Sequence, residues 1–231
     1  MISDRSEFKL LDRGFENTLV LIPGWATNHR LFSKINGAYN YLFTLSIRLD
    51  TFLDDLAGYL KSNKIQQVTV LGHSLGGFIA KDFCLKFPEV VEELFLVSIR
   101  KQYSQAEIRS VSELIQKNRT AFLIKFYKDC FVRDNDGFDW FKENLLEVYL
   151  EKFDEDSLMK GLEYLSKTSM NEEELAKTGK TTIFNSRLDK IAPFSEALEL
   201  GSVGNTVRFV PLETSGHIPF LDHEFNEKFN G

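Results

Sequence analysis

Apolar residues in this chain fall into two alternating kinds of run. Thr18-Leu19-Val20-Leu21-Ile22 is continuously apolar and stops at Pro23-Gly24, as expected of a strand buried on both faces of a parallel sheet. Leu42 to Ile47, Val68-Thr69-Val70-Leu71 and Leu94 to Val97 are further strand-like runs. Between them, His29 to Tyr39 reads as a short helix. Phe52, Leu56 and Leu60 recur at helical spacing, with Asp54 and Asp55 in the first turns. Gly77 to Leu85 continues as a helix closed by Phe87-Pro88. Strand and helix therefore alternate up to residue 98, which predicts a parallel sheet covered on both sides.

Beyond that point strand signals vanish. Ile108, Val111 and Ile115 share a helical face, as do Phe141, Leu145 and Val148, and later Leu158, Leu162 and Leu165. Asp154 and Asn171 are suited to be helix N-caps. The alternation resumes with Thr181 to Phe184 as a strand, Pro193 to Leu200 as a helix, Val207 to Val210 as a strand and Pro219 to Phe229 as a helix. The expected division is an α/β core over residues 1–98 and 180–231, with an all-helical insertion over 99–179. The segment before Thr18 has room for one edge strand, so a sheet of about six or seven strands is expected.

At 231 residues, 43% hydrophobic and 27% charged, the chain can bury a substantial core in one unit. No apolar stretch approaches the about 18 to 20 residues that span a bilayer. The first residues, Met-Ile-Ser-Asp-Arg-Ser-Glu-Phe-Lys, lack a signal-type hydrophobic region, so a cytoplasmic, monomeric protein is expected. Cys84 and Cys130 are expected to be free thiols. Neither they nor the four histidines form a metal signature, and no phosphate-binding glycine motif is present. The net charge of −6 speaks against nucleic acid as the main partner.

The chemistry concentrates at Gly72-His73-Ser74-Leu75-Gly76, which lies between a strand and a helix. That context defines a nucleophile elbow, where small neighbours allow a turn tight enough to lift the serine hydroxyl above the sheet. A serine needs a base, and a histidine base needs a carboxylate to hold its tautomer. Asp189 follows the Thr181–Phe184 strand, and His217, in Ser215-Gly216-His217-Ile218-Pro219, follows the last strand. Alone, Asp189 reads equally well as a helix cap and His217 as a loop histidine. Their order after Ser74, each at the carboxyl end of a strand, makes them the expected triad. The amides of Leu75 and Trp25 are the expected oxyanion donors, with Gly24 allowing close backbone approach.

Ile22-Pro23-Gly24-Trp25, Gly72 to Gly77, Asp189 and Gly216-His217-Ile218-Pro219-Phe220-Leu221 together resemble the α/β-hydrolase superfamily nearly end to end. The resemblance implies that the helical insertion is a lid. Gly24-Trp25 and Ser215 to Leu221 are most similar to carboxylesterases related to the pimeloyl-acyl-carrier-protein methyl ester esterase of biotin synthesis. This implies a carrier-linked methyl ester as substrate, hydrolysed through an acyl-enzyme without metal or organic cofactor. Two departures stand out: Pro23 replaces the family's usual histidine, and Arg48-Leu49-Asp50 runs almost directly into a helix where the family has a longer loop.

The insertion opens with Arg100, Lys101, Arg109, Lys117, Arg119, Lys125, Lys128 and Arg133, and turns acidic from Asp134 to Glu174. Such a basic face would steer an acidic carrier protein, with Arg109, Arg119, Lys125 and Lys128 as contacts; a solvated helix pair explains it equally well. Phe122, Phe126, Phe138 and Trp140 are expected to shape the acyl pocket. The alternatives are a general short-chain carboxylesterase or an acyltransferase with the same triad, or a non-catalytic binding protein on the same scaffold.

Overall fold

The computed structural model describes residues 5–132, 136–202 and 206–230. Arg133 and Asp134, expected at the change of charge in the insertion, lie outside them. Seven strands form one sheet in the order β1-β3-β2-β4-β5-β6-β7. They are β1 (Glu7–Leu11), β2 (Thr18–Ile22), β3 (Asn40–Ser46), β4 (Val68–His73), β5 (Val91–Val97), β6 (Thr181–Ser186) and β7 (Val207–Leu212). All neighbours run parallel except β1, which pairs antiparallel with β3 at one edge. β1 is mostly exposed, so no buried face imposes a pattern on its sequence.

Period-two alternation divides each central strand between two cores. Leu19 and Leu21 of β2 point into one, Val20 and Ile22 into the other. The second core is closed by α1 (Phe52–Ser62), α2 (Leu75–Lys86) and α8 (Phe194–Leu200), through Phe52, Leu56, Leu60, Phe78, Phe83, Ala197 and Leu200. The first core is closed by α9 (His223–Asn230) through Phe225, and by the segment between β5 and β6.

That segment carries α3 (Gln105–Asp129), α4 (Asp136–Phe141), a π-helical turn (Lys142–Leu146), α5 (Glu147–Lys152), α6 (Glu155–Leu165) and α7 (Glu172–Leu175). Its two ends are pinned together. Gln102 and Ser169 form a β-bridge, and the Met170 amide donates to the Lys101 carbonyl at 2.7 Å. α3 breaks at Asn118 (φ −164°, ψ 90°), whose side-chain oxygen accepts the Ala121 amide and so caps a new helical start.

Two expected helices are shorter than the sequence suggests. His29 to Tyr39 holds only a 3₁₀ turn, His29–Phe32. The chain then turns at Gly37, whose amide donates to the Tyr41 hydroxyl at 2.7 Å; a β-carbon there would stand 2.7 Å from the Phe229 ring. The C-terminal helix is split into a 3₁₀ turn, Pro219–Leu221, and α9, because Asp222 is extended.

Candidate active site

Ser74 occupies the junction of β4 and α2 with φ 52° and ψ −117°, a left-handed φ that an L-residue adopts only under constraint. The constraint is local. The Ser74 amide donates to the Val97 carbonyl, and its carbonyl accepts the Gly77 amide, both at 2.9 Å. A β-carbon at Gly72 would lie 2.3 Å from the Gly76 carbonyl oxygen, and one at Gly76 would lie 2.4 Å from the Ile22 carbonyl oxygen. Glycine at both positions thus lets α2 start directly against the ends of β4 and β2.

The expected triad converges. His217 Nε2 lies 3.1 Å from Ser74 Oγ, and His217 Nδ1 lies 2.9 Å from Asp189 Oδ2. The other Asp189 oxygen accepts the amides of Ile191 and Ala192, both at 2.8 Å. This carboxylate is fully buried yet has donor partners on both oxygens, so it is fixed in place. It accepts the Nδ1 proton, which leaves Nε2 with a lone pair facing the Ser74 hydroxyl. Asp189 therefore caps the turn before α8 and orients the histidine at once; the two readings of the sequence describe one residue.

The loop carrying His217 is braced on several sides. The Ser215 carbonyl accepts from the Ser186 hydroxyl. The Ile218 amide donates to the Cys130 carbonyl at 3.2 Å, where α3 ends. A β-carbon at Gly216 would fall 2.4 Å from that same carbonyl oxygen. Glu224 of α9 accepts the Glu213 and Thr214 amides at 2.6 and 2.9 Å and pairs with Lys228 at 3.0 Å.

Gly24 brings the second loop against the nucleophile, since a β-carbon there would stand 3.1 Å from Ser74 Cβ. Trp25 follows it, and Leu75 begins α2, where helix amides have no preceding carbonyls to pair with. Ala26 sits at φ 55°, and its carbonyl accepts the buried Tyr127 hydroxyl at 2.7 Å. The Trp25 indole donates to the Leu158 carbonyl of α6 at 3.0 Å and stands edge-on to Phe122 and Phe126 of α3, with centroids 6.2 and 5.2 Å away.

Tyr103 joins the site without any signal in the sequence. Its hydroxyl lies beside Ser74, and its ring lies under the Arg100 guanidinium at 4.5 Å. Burial pushes the phenol up to about 12, so it is a neutral hydroxyl beside the nucleophile. Nothing local marks it, because the contact joins residues in separate loops.

Other expected residues are not gathered here. Phe138 packs on Phe131, and Trp140 lines a separate cleft of about 360 Å³ with His29, Phe43 and Leu145. Arg109, Lys125 and Lys128 are exposed on α3, with Lys125 paired to Asp129. Arg119 donates to the Phe153 carbonyl at 2.7 Å. Arg100 and Lys101 leave the basic face: they pair with Glu196 at 3.4 Å and Glu199 at 2.8 Å, both on α8. Among the described residues no cluster of three or more His, Cys, Asp or Glu could hold a metal ion, and no helix is long and apolar enough to cross a membrane.

The family model described as the alpha/beta hydrolase fold matches residues 37–224. The chain belongs to that family. A curated relative, the AB hydrolase superfamily protein YisY of Bacillus subtilis, is 25% identical over 95% of this chain and 91% of its own length. A 40% identical match to the 1-acylglycerol-3-phosphate O-acyltransferase ICT1 of Saccharomyces cerevisiae spans 47 residues, only 20% of this chain and 12% of that protein. Among solved structures, an esterase from Exiguobacterium antarcticum superposes with a TM-score of 0.82 at 20% identity, covering 97% of this chain and 94% of its own.

Proposed function

We propose that the protein is a serine carboxylesterase working through an acyl-enzyme. The observation that carries this reading is the continuous contact from Ser74 Oγ through His217 to Asp189. His217 takes the serine proton as Ser74 attacks the ester carbonyl, and Asp189 holds the imidazolium. The amides of Trp25 and Leu75 stabilise the oxyanion, and His217 returns the proton to the departing alkoxide. Water, activated by the same histidine, then releases the acid. The helices between β5 and β6 serve as the lid, with Trp25, Phe122 and Phe126 at its underside. Turnover of p-nitrophenyl esters of graded chain length tests this: hydrolysis abolished by Ser74→Ala supports it, and no hydrolysis at any length refutes it.

The finer reading is that the substrate is the methyl ester of a pimeloyl chain on an acyl carrier protein, the products being methanol and the free carboxylate. It rests on the likeness of Gly24-Trp25 and Ser215 to Leu221 to that esterase group. Exposed Arg109, Lys125 and Lys128 would meet the acidic carrier, with Arg119 beside them. Reversing Lys125 and Lys128 to Glu should slow carrier-linked substrate and spare small esters; equal loss on both removes the docking idea. A second reading, acyl transfer, is favoured by the short match to the yeast acyltransferase. Partition of the acyl-enzyme between water and an added alcohol or lysophospholipid distinguishes the two.

A further inference from the structure

We propose, resting on the hydrolase reading, that His73 is a positioning residue that fixes the His217 backbone so that its imidazole stays in register between Ser74 and Asp189. His73 is only 1% exposed, and its Nε2 lies 2.9 Å from the His217 carbonyl oxygen. A carbonyl only accepts, so Nε2 carries the hydrogen and Nδ1 of the neutral ring is bare. Nδ1 is buried, has no hydrogen-bond partner among the described residues and faces Gly24, where a β-carbon would come within 2.8 Å of it. The Ile218 amide, on the other end of the same peptide unit, donates to Cys130. The 217–218 peptide is thus held by its oxygen from the elbow and by its nitrogen from the end of α3.

The ring must also remain uncharged. His217 lies 5.1 Å away, centroid to centroid, and Phe220 presents its edge at 5.1 Å. Burial and the charge of His217, the titratable group acting on His73, push it down to about 3. When His217 becomes imidazolium during turnover, His73 therefore does not compete for the proton. An apolar residue at 73 would fill the space but leave the His217 carbonyl buried and unpaired.

Two measurements test this. In wild-type protein, nitrogen NMR of the imidazoles should show His73 as the neutral Nε2–H tautomer from about pH 5 to 8; an Nδ1–H tautomer, or protonation within that range, overturns the proposal. His73→Phe should lower kcat for p-nitrophenyl butyrate about 10- to 100-fold with little change in KM, the scale expected when a reacting group is misplaced by a fraction of an ångström. The acid limb of kcat/KM should move to lower pH as the Asp189 contact loosens, and His73→Gln, which keeps an N–H donor, should recover most of kcat. Wild-type kcat and an unshifted acid limb in folded His73→Phe overturn it. If His73→Phe does not fold, His73→Gln and the tautomer decide: a Gln variant as inactive as His73→Ala counts against the hydrogen bond. Absence of ester turnover by the wild type would instead sink the functional reading, leaving the tautomer result to be judged separately.

Discussion

Gly161 of α6 lies against the indole of Trp25 so closely that a β-carbon would stand 2.4 Å from Cδ1, and 3.7 Å from Leu75 Cδ1. The side chains of both residues whose amides are the proposed oxyanion donors therefore rest on one glycine of the inserted helices. Gly161→Ala must push the indole off its bond to Leu158, which shifts the Gly24-Trp25 backbone. The expected result is a roughly tenfold loss in kcat toward p-nitrophenyl esters with a stability loss of about 1–3 kcal/mol. Steady-state kinetics and thermal unfolding on the same sample check it, and unchanged kcat would separate the inserted helices from the oxyanion loop.

The elbow glycines allow no such relaxation. At Gly72 and Gly76 the obstacle is backbone carbonyl oxygen, at 2.3 and 2.4 Å, with no flexible side-chain end to give way. Gly76→Ala is expected to cost at least about 3 kcal/mol or to prevent accumulation of folded protein. Urea unfolding or soluble yield measures this.

Glu224 links acid stability to the histidine loop. Burial would raise its carboxyl, but the Glu213 and Thr214 amides, Lys228 and the Thr214 hydroxyl outweigh that and hold it at about 2, below its ordinary 4.5. A carboxyl depressed in the folded state adds stability that is complete above about pH 4.5 and lost as pH falls toward about 2. Glu224→Gln should therefore lower stability at neutral pH by about 1–3 kcal/mol and flatten the acid decline. Chemical denaturation from pH 7 to 3 would show the two curves converging at the acid end. Parallel curves would contradict the assignment.

Lys81 on α2 is buried, and its ammonium meets Glu174 at 2.9 Å, Asp82 at 3.1 Å and the Ser169 carbonyl at 3.0 Å. It ties the returning end of the insertion to the core. Lys81→Met should cost about 1–3 kcal/mol, because the two carboxylates are partly exposed and regain water while the carbonyl loses its donor. Hydrogen exchange should accelerate selectively around Met170 to Leu175; exchange unchanged there would deny the tether.

What could be read in the sequence was what short-range physics controls. β2 is buried at every position, so its run of apolar residues is legible without any partner. The elbow announces itself through glycines that sterics require, and Asp189 and His217 follow strands at the sheet's carboxyl edge. Contacts closed over long separations left no local trace: Tyr103 on Ser74, Tyr127 on Ala26, and Gly161 under Trp25. The His29–Tyr39 helix failed for a related reason. The 3₁₀ turn already stops at Phe32, capped by Ser33, and further along Gly37 is needed to pass the Phe229 ring of a distant helix. The basic stretch was legible as charge and misleading as a surface, because Arg100 and Lys101 are spent on α8.

In the proposed mechanism Asp189 and His217 make one buried hydroxyl, that of Ser74, unusually reactive; the residue is only 6% exposed. Mass spectrometry after treatment with a fluorophosphonate tests it directly. A single adduct is expected on the peptide carrying Ser74, absent in Ser74→Ala and slowed about 10³- to 10⁴-fold in Asp189→Asn, where the histidine tautomer is lost. An unlabelled Ser74 in folded protein, or labelling that ignores the loss of Asp189, would contradict it.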